Sequence, residues 1–317
     1  MSSRNEMNPM NYEIGQKVDF FGKVEALNPS TYDTVAINVE TEAREKVVVR
    51  IPAQAPVQLN KLYWFECVAI AFKEKIHLRA DVFVPLAEKK VDDDVKERLF
   101  RTFYQYAPVN LREIREAIES RLAKIENPVI GAITRDLYDK FSEDFYLYPA
   151  ATKFHHAYIS GLAYHTASML KLADGFLAVY PFLNVDLVYA GIILHDLTKT
   201  LEFDSYEGSE YTIAGKLIGH ISLTSNEIAL SAVRLGLEAA EETMLLEHII
   251  LSHHYYGNFG SPKRPAIAEA LVIHLVDNVD SKVTVVGEEL AKAAAGGFTE
   301  PIGVLDKERY FKHKLAK

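Results

Sequence analysis

The stretch Tyr189–Lys199, with the sequence YAGIILHDLTK, is the most informative part of this 317-residue chain. From Asp186 to Leu194 almost every residue is apolar, as in a helix that is buried on all sides. The stretch then ends on a histidine, a carboxylate and a lysine. Because a buried imidazole and a buried carboxylate need a partner such as a metal ion, the stretch predicts a buried helix that delivers metal ligands at its end.

Other ligand-type residues also occupy apolar helical settings. Nine of the 11 histidines lie between His155 and His274. The candidates that follow apolar residues at the three- or four-residue spacing of one helix face, or lie in an apolar run, are His165, His220, His253 and Asp277. One such residue alone is more often a satisfied core residue. Several of them in one helical region predict a shared metal site.

The sequence predicts an α+β protein with two domains, a small β-barrel followed by an all-α domain. Residues 12–88 contain five runs rich in β-branched and aromatic residues, which turn signals separate. These runs are Lys17–Val24, Thr34–Glu40, Lys46–Ile51, Tyr63–Phe72 and Ile76–Val84. Five short strands fit an OB-type barrel, and any other small antiparallel β domain fits equally well.

Residues 91–312 show helical spacing, with a lead-in over 91–150 and a metal-binding core over 151–285. Asp94 is placed to cap the first helix. Leu111, Ile118 and Ile125 belong to an amphipathic pattern that predicts a helix ending at Asn127-Pro128. The next helix is expected from Val129 onward.

Composition narrows the function classes. The net charge is −9. Residues 1–90 carry 12 basic and 12 acidic residues and are neutral overall, so the net negative charge comes from the rest of the chain. No basic surface is therefore indicated by composition. The single cysteine, Cys67, excludes an internal disulfide framework. No apolar leader or run of about 18 apolar residues is present, so we expect a cytoplasmic protein without a membrane partner.

The order His165, His195-Asp196, His220, His253-His254 and Asp277 resembles the two-metal form of the HD phosphohydrolase superfamily. Three stretches resemble the YhaM-type 3′→5′ exoribonucleases more closely: Phe154–His165 (FHHAYISGLAYH), Tyr189–Lys199, and Leu251–His254 (LSHH) with Phe259–Pro262 (FGSP). The resemblance covers about residues 100–312, and that family also carries an N-terminal OB-type domain. Thr198 stands where the family usually has glycine.

The resemblance implies a ligand set for two divalent ions. One ion would be held by His165, His195, Asp196 and Asp277, and the other by Asp196, His220 and His253. This mixture of imidazole and carboxylate suits Mn²⁺ first, with Fe, Co²⁺ or Zn²⁺ as alternatives, and suits Mg²⁺ less well. Asp196 and Lys199 are the implied catalytic residues, with Lys199 balancing charge on a phosphate. For Lys199 the alternative is a solvated lysine at the end of the helix.

Further residues near the motif are predicted substrate contacts. They are His156, His254, Lys263 and Arg264, with His155 as an additional candidate. On a helix His254 points away from His253, and a contact with a group that supports the ligands is its alternative role. For His155 and His156, an ordinary place on the surface is equally consistent with the sequence. Asp280 is placed to orient Asp277 or a histidine, and a plain surface carboxylate fits equally well. His77, His248, His274 and His313 are interpreted as structural.

These patterns and the resemblance lead to one leading hypothesis, a two-metal 3′→5′ exoribonuclease. Its partner would be single-stranded RNA, with single-stranded DNA as a second substrate and bases held on aromatic rings; the sequence leaves a homo-oligomer open. The candidate rings are Phe20, Phe21, Tyr32, Trp64 and Phe72. The alternatives are a phosphodiesterase of small or cyclic nucleotides and a single-strand-binding protein with a structural metal.

Overall fold

The computed structural model describes residues 12–28, 33–73, 75–152, 156–206 and 210–315. The candidate residues Tyr32 and His155 lie outside these ranges. The chain divides into two compact units, residues 1–105 and residues 106–317. None of the helices in these described ranges is long and apolar enough to cross a membrane.

The first unit contains the predicted barrel. Its strands are β1 (Lys17–Asn28), β2 (Thr34–Thr41), β3 (Lys46–Pro52), β4 (Leu62–Phe72) and β5 (Lys75–Pro85). They close in the order β1-β2-β3-β5-β4, with β3 and β5 parallel and the other neighbours antiparallel. This five-stranded closed arrangement is typical of an OB-type barrel, so the prediction of a small β-barrel is confirmed.

The barrel core comes from the alternation of its strands. Ile37 and Val39 on β2 are fully buried and point to the same side, as period-two patterning requires. Phe65 is also fully buried and stacks on Phe20, with 5.4 Å between ring centroids. Phe21 is buried as well. Phe20 and Phe21 therefore belong to the barrel's packing, which removes Phe21 from the set of rings open to bases.

The helix that closes the first unit is α1 (Asp93–Phe103). Asp92, and not Asp94, occupies the position that precedes the helix, and its side chain makes no capping hydrogen bond. The predicted cap at Asp94 is therefore wrong. Asp93 and Asp94 lie in the first turn instead, where a carboxylate interacts favourably with the helix dipole.

The second unit is helical. Its helices are α2 (Leu111–Leu122), α3 (Pro128–Phe145), α4 (Gly161–Val179), α5 (Val185–Leu194), α6 (Lys199–Glu202), α7 (Ile213–Leu217), α8 (His220–Leu235), α9 (Glu241–Ser252) and α10 (Ala268–Lys292). Ile125 lies beyond the end of α2, so the predicted helix was too long. Asn127 begins α3 because its side chain accepts hydrogen bonds from the amides of Val129 and Ile130, and Pro128 takes the first helical position that suits proline.

Helix α5 lies at the centre of this unit. Asn184 caps its start by accepting a hydrogen bond from the Leu187 amide, and the residues from Leu187 to Leu194 are all buried. The helix contacts α2, α3, α4, α9 and α10. A Cβ at Gly191 would lie 2.4 Å from Ile273 and 2.8 Å from Ile249, so glycine is needed there for α9 and α10 to approach. The packing places the carboxyl end of α5 among its neighbours.

Candidate metal centre

Five helices bring the six predicted metal ligands together. His195 follows the last residue of α5, His165 lies within α4, and Asp277 lies within α10. His220 begins α8, and His253 follows the last residue of α9. Among the described residues, three groups have ligand atoms within 4.8 Å of one another. They are Asp196, His220, His253 and His254; His165, His195 and Asp277; and His156, His165 and Asp280.

Two of the histidines are anchored by their own helices. The Nδ1 atom of His195 lies 2.7 Å from the carbonyl oxygen of Ile192, and Nδ1 of His253 lies 2.7 Å from that of Ile250. A carbonyl oxygen only accepts, so both Nδ1 atoms donate. The neutral rings therefore carry their lone pairs on Nε2, the atom that faces the cluster.

The other two histidines are anchored by carboxylates. Nδ1 of His165 lies 2.7 Å from Asp280 Oδ2, and Nδ1 of His220 lies 3.0 Å from Glu202 Oε2. Oε1 of Glu202 also accepts a hydrogen bond from the His220 amide at 3.2 Å. A carboxylate behind a histidine fixes its tautomer and makes it a stronger metal ligand. Each of the first two groups thus contains one histidine of this kind.

The polar atoms that face the cluster are unsatisfied. Nε2 of His195, His220 and His253 and Oδ1 of Asp196 are buried and lack a hydrogen-bond partner of acceptable geometry in the part of the chain that the structure describes. Native proteins rarely leave buried polar atoms unpaired, and four such atoms in one place would cost several kcal/mol. Three imidazole nitrogens and a carboxylate oxygen are suitable ligands for a divalent transition metal, so these residues fit a metal ion.

Asp196 has one oxygen on each side of the cluster. Oδ1 lies 3.2 Å from Nε2 of His220 and 4.0 Å from Nε2 of His253, whereas Oδ2 lies 3.2 Å from Nε2 of His195. Burial raises the pKa of Asp196, but its electrostatic interactions with His195 and Lys199 outweigh burial and hold that pKa well below its usual range. The carboxylate is therefore ionised and faces both groups.

Lys199 is tied into the protein rather than projecting from the helix end. Its ammonium lies 2.7 Å from Asp196 Oδ2 and donates to the carbonyl oxygen of Ala150 at 2.7 Å. Burial lowers the pKa of Lys199, but the Asp196 carboxylate outweighs burial and raises it above the usual value. The lysine thus neutralises the central carboxylate in this structure.

His165 and Asp277 form the far side of the cluster. Nε2 of His165 lies 3.4 Å from Asp277 Oδ1. Burial lowers the pKa of His165, but its bonds to Asp277 and Asp280 raise it to about 9. In the metal-free protein His165 therefore holds a proton at neutral pH, and a metal ion has to displace that proton to bind.

The third group, His156, His165 and Asp280, lies in the interior and is held together by hydrogen bonds. His156 is completely buried. Its Nε2 lies 2.8 Å from Asp280 Oδ2 and its Nδ1 lies 2.8 Å from the hydroxyl of Tyr158. The ordinary surface position considered for His156 is therefore wrong, because the chain before α4 folds it inward. The predicted contact with substrate is wrong as well, because the ring has no exposed surface and both of its nitrogens are bonded within the protein. Asp280 orients His165, one of the two roles considered for it.

His254 lies beside the cluster instead of pointing away from it. Helix α9 ends at Ser252, so helical geometry does not separate His253 from His254. Their ring centroids are 4.2 Å apart, and His254 lies 5.3 Å from the ring of His220. The structure brings it into the same group as Asp196, where the sequence predicted a substrate contact.

Lys263 and Arg264 are exposed on the segment between α9 and α10, and neither belongs to any of the three groups. The Arg264 guanidinium lies 5.5 Å from the ring centroid of Tyr255. Their proposed contact with substrate stays a prediction. His248 lies outside the groups as well, and its Nε2 accepts a hydrogen bond from the Ala266 amide at 2.9 Å.

Thr198 fits its turn without strain. Its φ is −83°, a value that any L-residue adopts, so the turn does not need glycine. The hydroxyl of Thr198 donates to the carbonyl oxygen of His220 at 3.0 Å and lies 2.7 Å from the hydroxyl of Thr224. The side chain thus links the turn that carries Asp196 to α8.

Sequence reasoning missed Glu202. It lies six residues after Asp196 in the short helix α6, is buried, and holds His220. Burial raises the pKa of Glu202, but the bond to His220 outweighs it and lowers that pKa. A carboxylate on the helix that follows a ligand pair was the only signal in the sequence.

Parts of the chain are similar to known proteins. Residues 162–282 match the family model described as "HD domain", and all six predicted metal ligands lie within that match. A solved structure described as "Structure and Conformational Change of a Replication Protein A Heterotrimer Bound to ssDNA" shares 18% identity. That similarity covers 28% of this chain and 66% of the other, with a TM-score of 0.22, which is too low to support an argument.

Proposed function

We propose that this chain is a metal-dependent phosphohydrolase that removes nucleotides from the 3′ end of single-stranded RNA and releases nucleoside 5′-monophosphates. The observation that carries the hydrolase part is the set of buried, unpaired Nε2 atoms around Asp196. The match to the HD domain agrees with it. The choice of RNA rests on the resemblance of the sequence to the YhaM-type exoribonucleases.

The cluster has donors for two ions that share one carboxylate. His165, His195 and Asp277 would hold one ion and His220 and His253 the other, with the Asp196 carboxylate available to both. His254 is a further donor on that second side. Divalent ions bound there would activate water and stabilise the charge that develops on a phosphodiester. Mn²⁺ suits this donor set best, with Fe, Co²⁺ or Zn²⁺ as alternatives.

The residues of the chain prepare this chemistry. Lys199 holds Asp196 in place and offsets one negative charge at the point where a polyanion would approach. Glu202 and Asp280 keep His220 and His165 in the neutral tautomer whose lone pair is on Nε2, the atom that would bind a metal. His165 gives up its proton when an ion binds.

The barrel supplies a candidate surface for bases. Phe72 is half-buried at the hairpin between β4 and β5, and the exposed Lys73 ammonium lies 5.6 Å from its ring centroid. The guanidinium of Arg50 on β3 lies 3.8 Å from the same centroid but is buried, so it packs on the ring and is not itself open to a base. The ring centroid of His77 lies 5.2 Å from that of Phe72. Aromatic rings combined with cations are the usual means of binding single strands without reading their sequence.

A nuclease assay tests the proposal. The full chain is incubated with Mn²⁺ and a 5′-labelled RNA of about 20 nucleotides, and we expect a ladder shortened from the 3′ end together with nucleoside 5′-monophosphates. Cleavage only of mononucleotides or cyclic dinucleotides would overturn the exoribonuclease and keep the phosphohydrolase. Tight RNA binding in Mn²⁺ without any turnover would overturn both. A matched pair of variants tests the barrel. Phe72→Leu should weaken RNA binding by the loss of about 1–3 kcal/mol. The control is Phe182→Leu, which removes an exposed ring between α4 and α5 of the helical unit and should leave RNA binding unchanged.

A further inference from the structure

The segment just before α4 contains a buried histidine, His156, that is not one of the six predicted metal ligands. His156 has no exposed surface, and both of its ring nitrogens have partners within the protein. Its ring centroid lies 5.4 Å from that of His165. It is therefore closed to solvent and lies beside one of the predicted ligands.

The backbone at His156 is strained. Its φ is +56°, in the left-handed region, which costs a residue other than glycine about 1–3 kcal/mol. A Cβ at Gly161 would lie 2.0 Å from the carbonyl oxygen of His156, so α4 has to begin with glycine for the segment to fit. The same oxygen accepts a hydrogen bond from the Ala150 amide at 3.1 Å. The protein thus maintains a costly conformation that turns this imidazole inward.

The hydrogen bonds of His156 form a chain that leads to a metal ligand. The Tyr158 hydroxyl lies 2.8 Å from His156 Nδ1, and His156 Nε2 lies 2.8 Å from Asp280 Oδ2. The same Oδ2 atom lies 2.7 Å from Nδ1 of His165. Because a carboxylate only accepts, both imidazoles donate to it. The neutral tautomer of His156 fits both of its contacts, since Nδ1 then accepts from the tyrosine hydroxyl.

These directions determine the tautomer of His165. With its Nδ1 proton committed to Asp280, the neutral His165 ring carries its lone pair on Nε2, which lies 3.4 Å from Asp277 Oδ1. Asp280 alone could rotate about its own side-chain bonds. The bond from His156 fixes the position of the shared oxygen, and with it the direction in which His165 points.

We propose that His156 and Asp280 act together as positioning residues that hold His165 for one of the two metal ions, and that His156 itself does not touch the ion. The proposal rests on the metal centre proposed above. The proposal assigns His156 a role at one ion only. At the other ion the histidine held by a carboxylate is His220, and that carboxylate belongs to Glu202.

Metal binding to the full-length protein tests this directly. The chelator-treated protein is titrated with Co²⁺ by calorimetry, and the visible absorption of bound Co²⁺ reports the ligand geometry. His156→Gly removes the imidazole and tolerates the positive φ. Both His156→Gly and Asp280→Asn should weaken one ion about 10–100-fold, alter its absorption spectrum and leave the other ion unchanged. Added imidazole should restore the affinity of His156→Gly, which a general loss of folding would not permit.

Two comparison variants separate positioning from stability. Asp174→Asn changes another carboxylate of the helical unit, on α4, which accepts hydrogen bonds from Arg121 and Tyr189 and lies outside all three groups. It should keep the affinity of both ions even if it lowers thermal stability. Glu202→Gln should weaken the ion that His156→Gly leaves unchanged.

The outcomes are distinguishable. If the wild-type protein binds no Co²⁺, the metal centre itself is refuted, and this proposal with it. If the wild type binds two ions and His156→Gly binds both with wild-type affinity and spectrum, only the positioning role is refuted. An equal loss of both ions in His156→Gly without rescue by imidazole would also overturn it.

Discussion

Asp196 has two roles that variants can test separately: it forms a buried ion pair with Lys199, and it is a predicted ligand of both metal ions. The Asp196 carboxylate and the Lys199 ammonium are 2.7 Å apart, and their side chains are only 4% and 12% exposed. At an effective dielectric constant of about 20 their attraction is about 6 kcal/mol, which desolvation partly offsets. Removing one partner leaves a buried charge without compensation, at a cost of about 3–5 kcal/mol.

We therefore expect metal-free Asp196→Asn and Lys199→Met each to lose about 3–5 kcal/mol of unfolding free energy, or about 6–20 °C in melting temperature. The double variant should lose clearly less than the sum of the two, because it leaves no lone charge. Metal content should separate the single variants. Asp196→Asn should lose both ions, whereas Lys199→Met should retain them because no ligand atom is removed.

The assay is thermal unfolding of chelator-treated protein followed by circular dichroism of the helices, with metal content measured by mass spectrometry. The single tryptophan, Trp64, lies in β4 of the barrel, so its fluorescence is an internal control that should change little. Strictly additive single losses would show that the two charges are not coupled. Loss of both ions from Lys199→Met would contradict the assignment of Asp196 as a ligand and of Lys199 as a residue that only neutralises its charge.

Two further predictions concern histidines. His253→Ala should lower metal occupancy and activity by orders of magnitude. His248→Ala should cost about 1 kcal/mol of stability at most, because it breaks only the hydrogen bond from the Ala266 amide. Equal metal content in the two variants would contradict the ligand assignment. Because the pKa of His165 is raised to about 9 from 6.5, its contribution to the stability of the metal-free protein is complete below pH 6.5 and disappears as pH rises through 9. Metal binding near pH 7.5 should accordingly release a proton that is no longer released above about pH 9.5, as calorimetry in buffers of different ionisation enthalpy would show.

Much of the fold could be read from local pattern. The five strands and the buried helix ending at His195-Asp196 follow from period-two and helical spacing of apolar residues, which depend on neighbours within a few positions. Helix boundaries were less secure. Asn127-Pro128 serves as well to begin a helix as to end one, and only the capping bonds of Asn127 show which helix it belongs to.

Residue type and apolar patterning were enough to predict a metal centre, because ligand-type side chains on apolar helix faces must turn toward a common interior. The groups that hold these side chains depend instead on how distant helices pack. His156 and His165 reach Asp280 across 124 and 115 residues of sequence, and nothing near His156 signals that its strained backbone turns inward. The same holds for Glu202 behind His220 and for His254, which joins the cluster because α9 ends just before it. Such contacts form when separate helices pack, and the local sequence does not indicate which distant carboxylate will face a given imidazole.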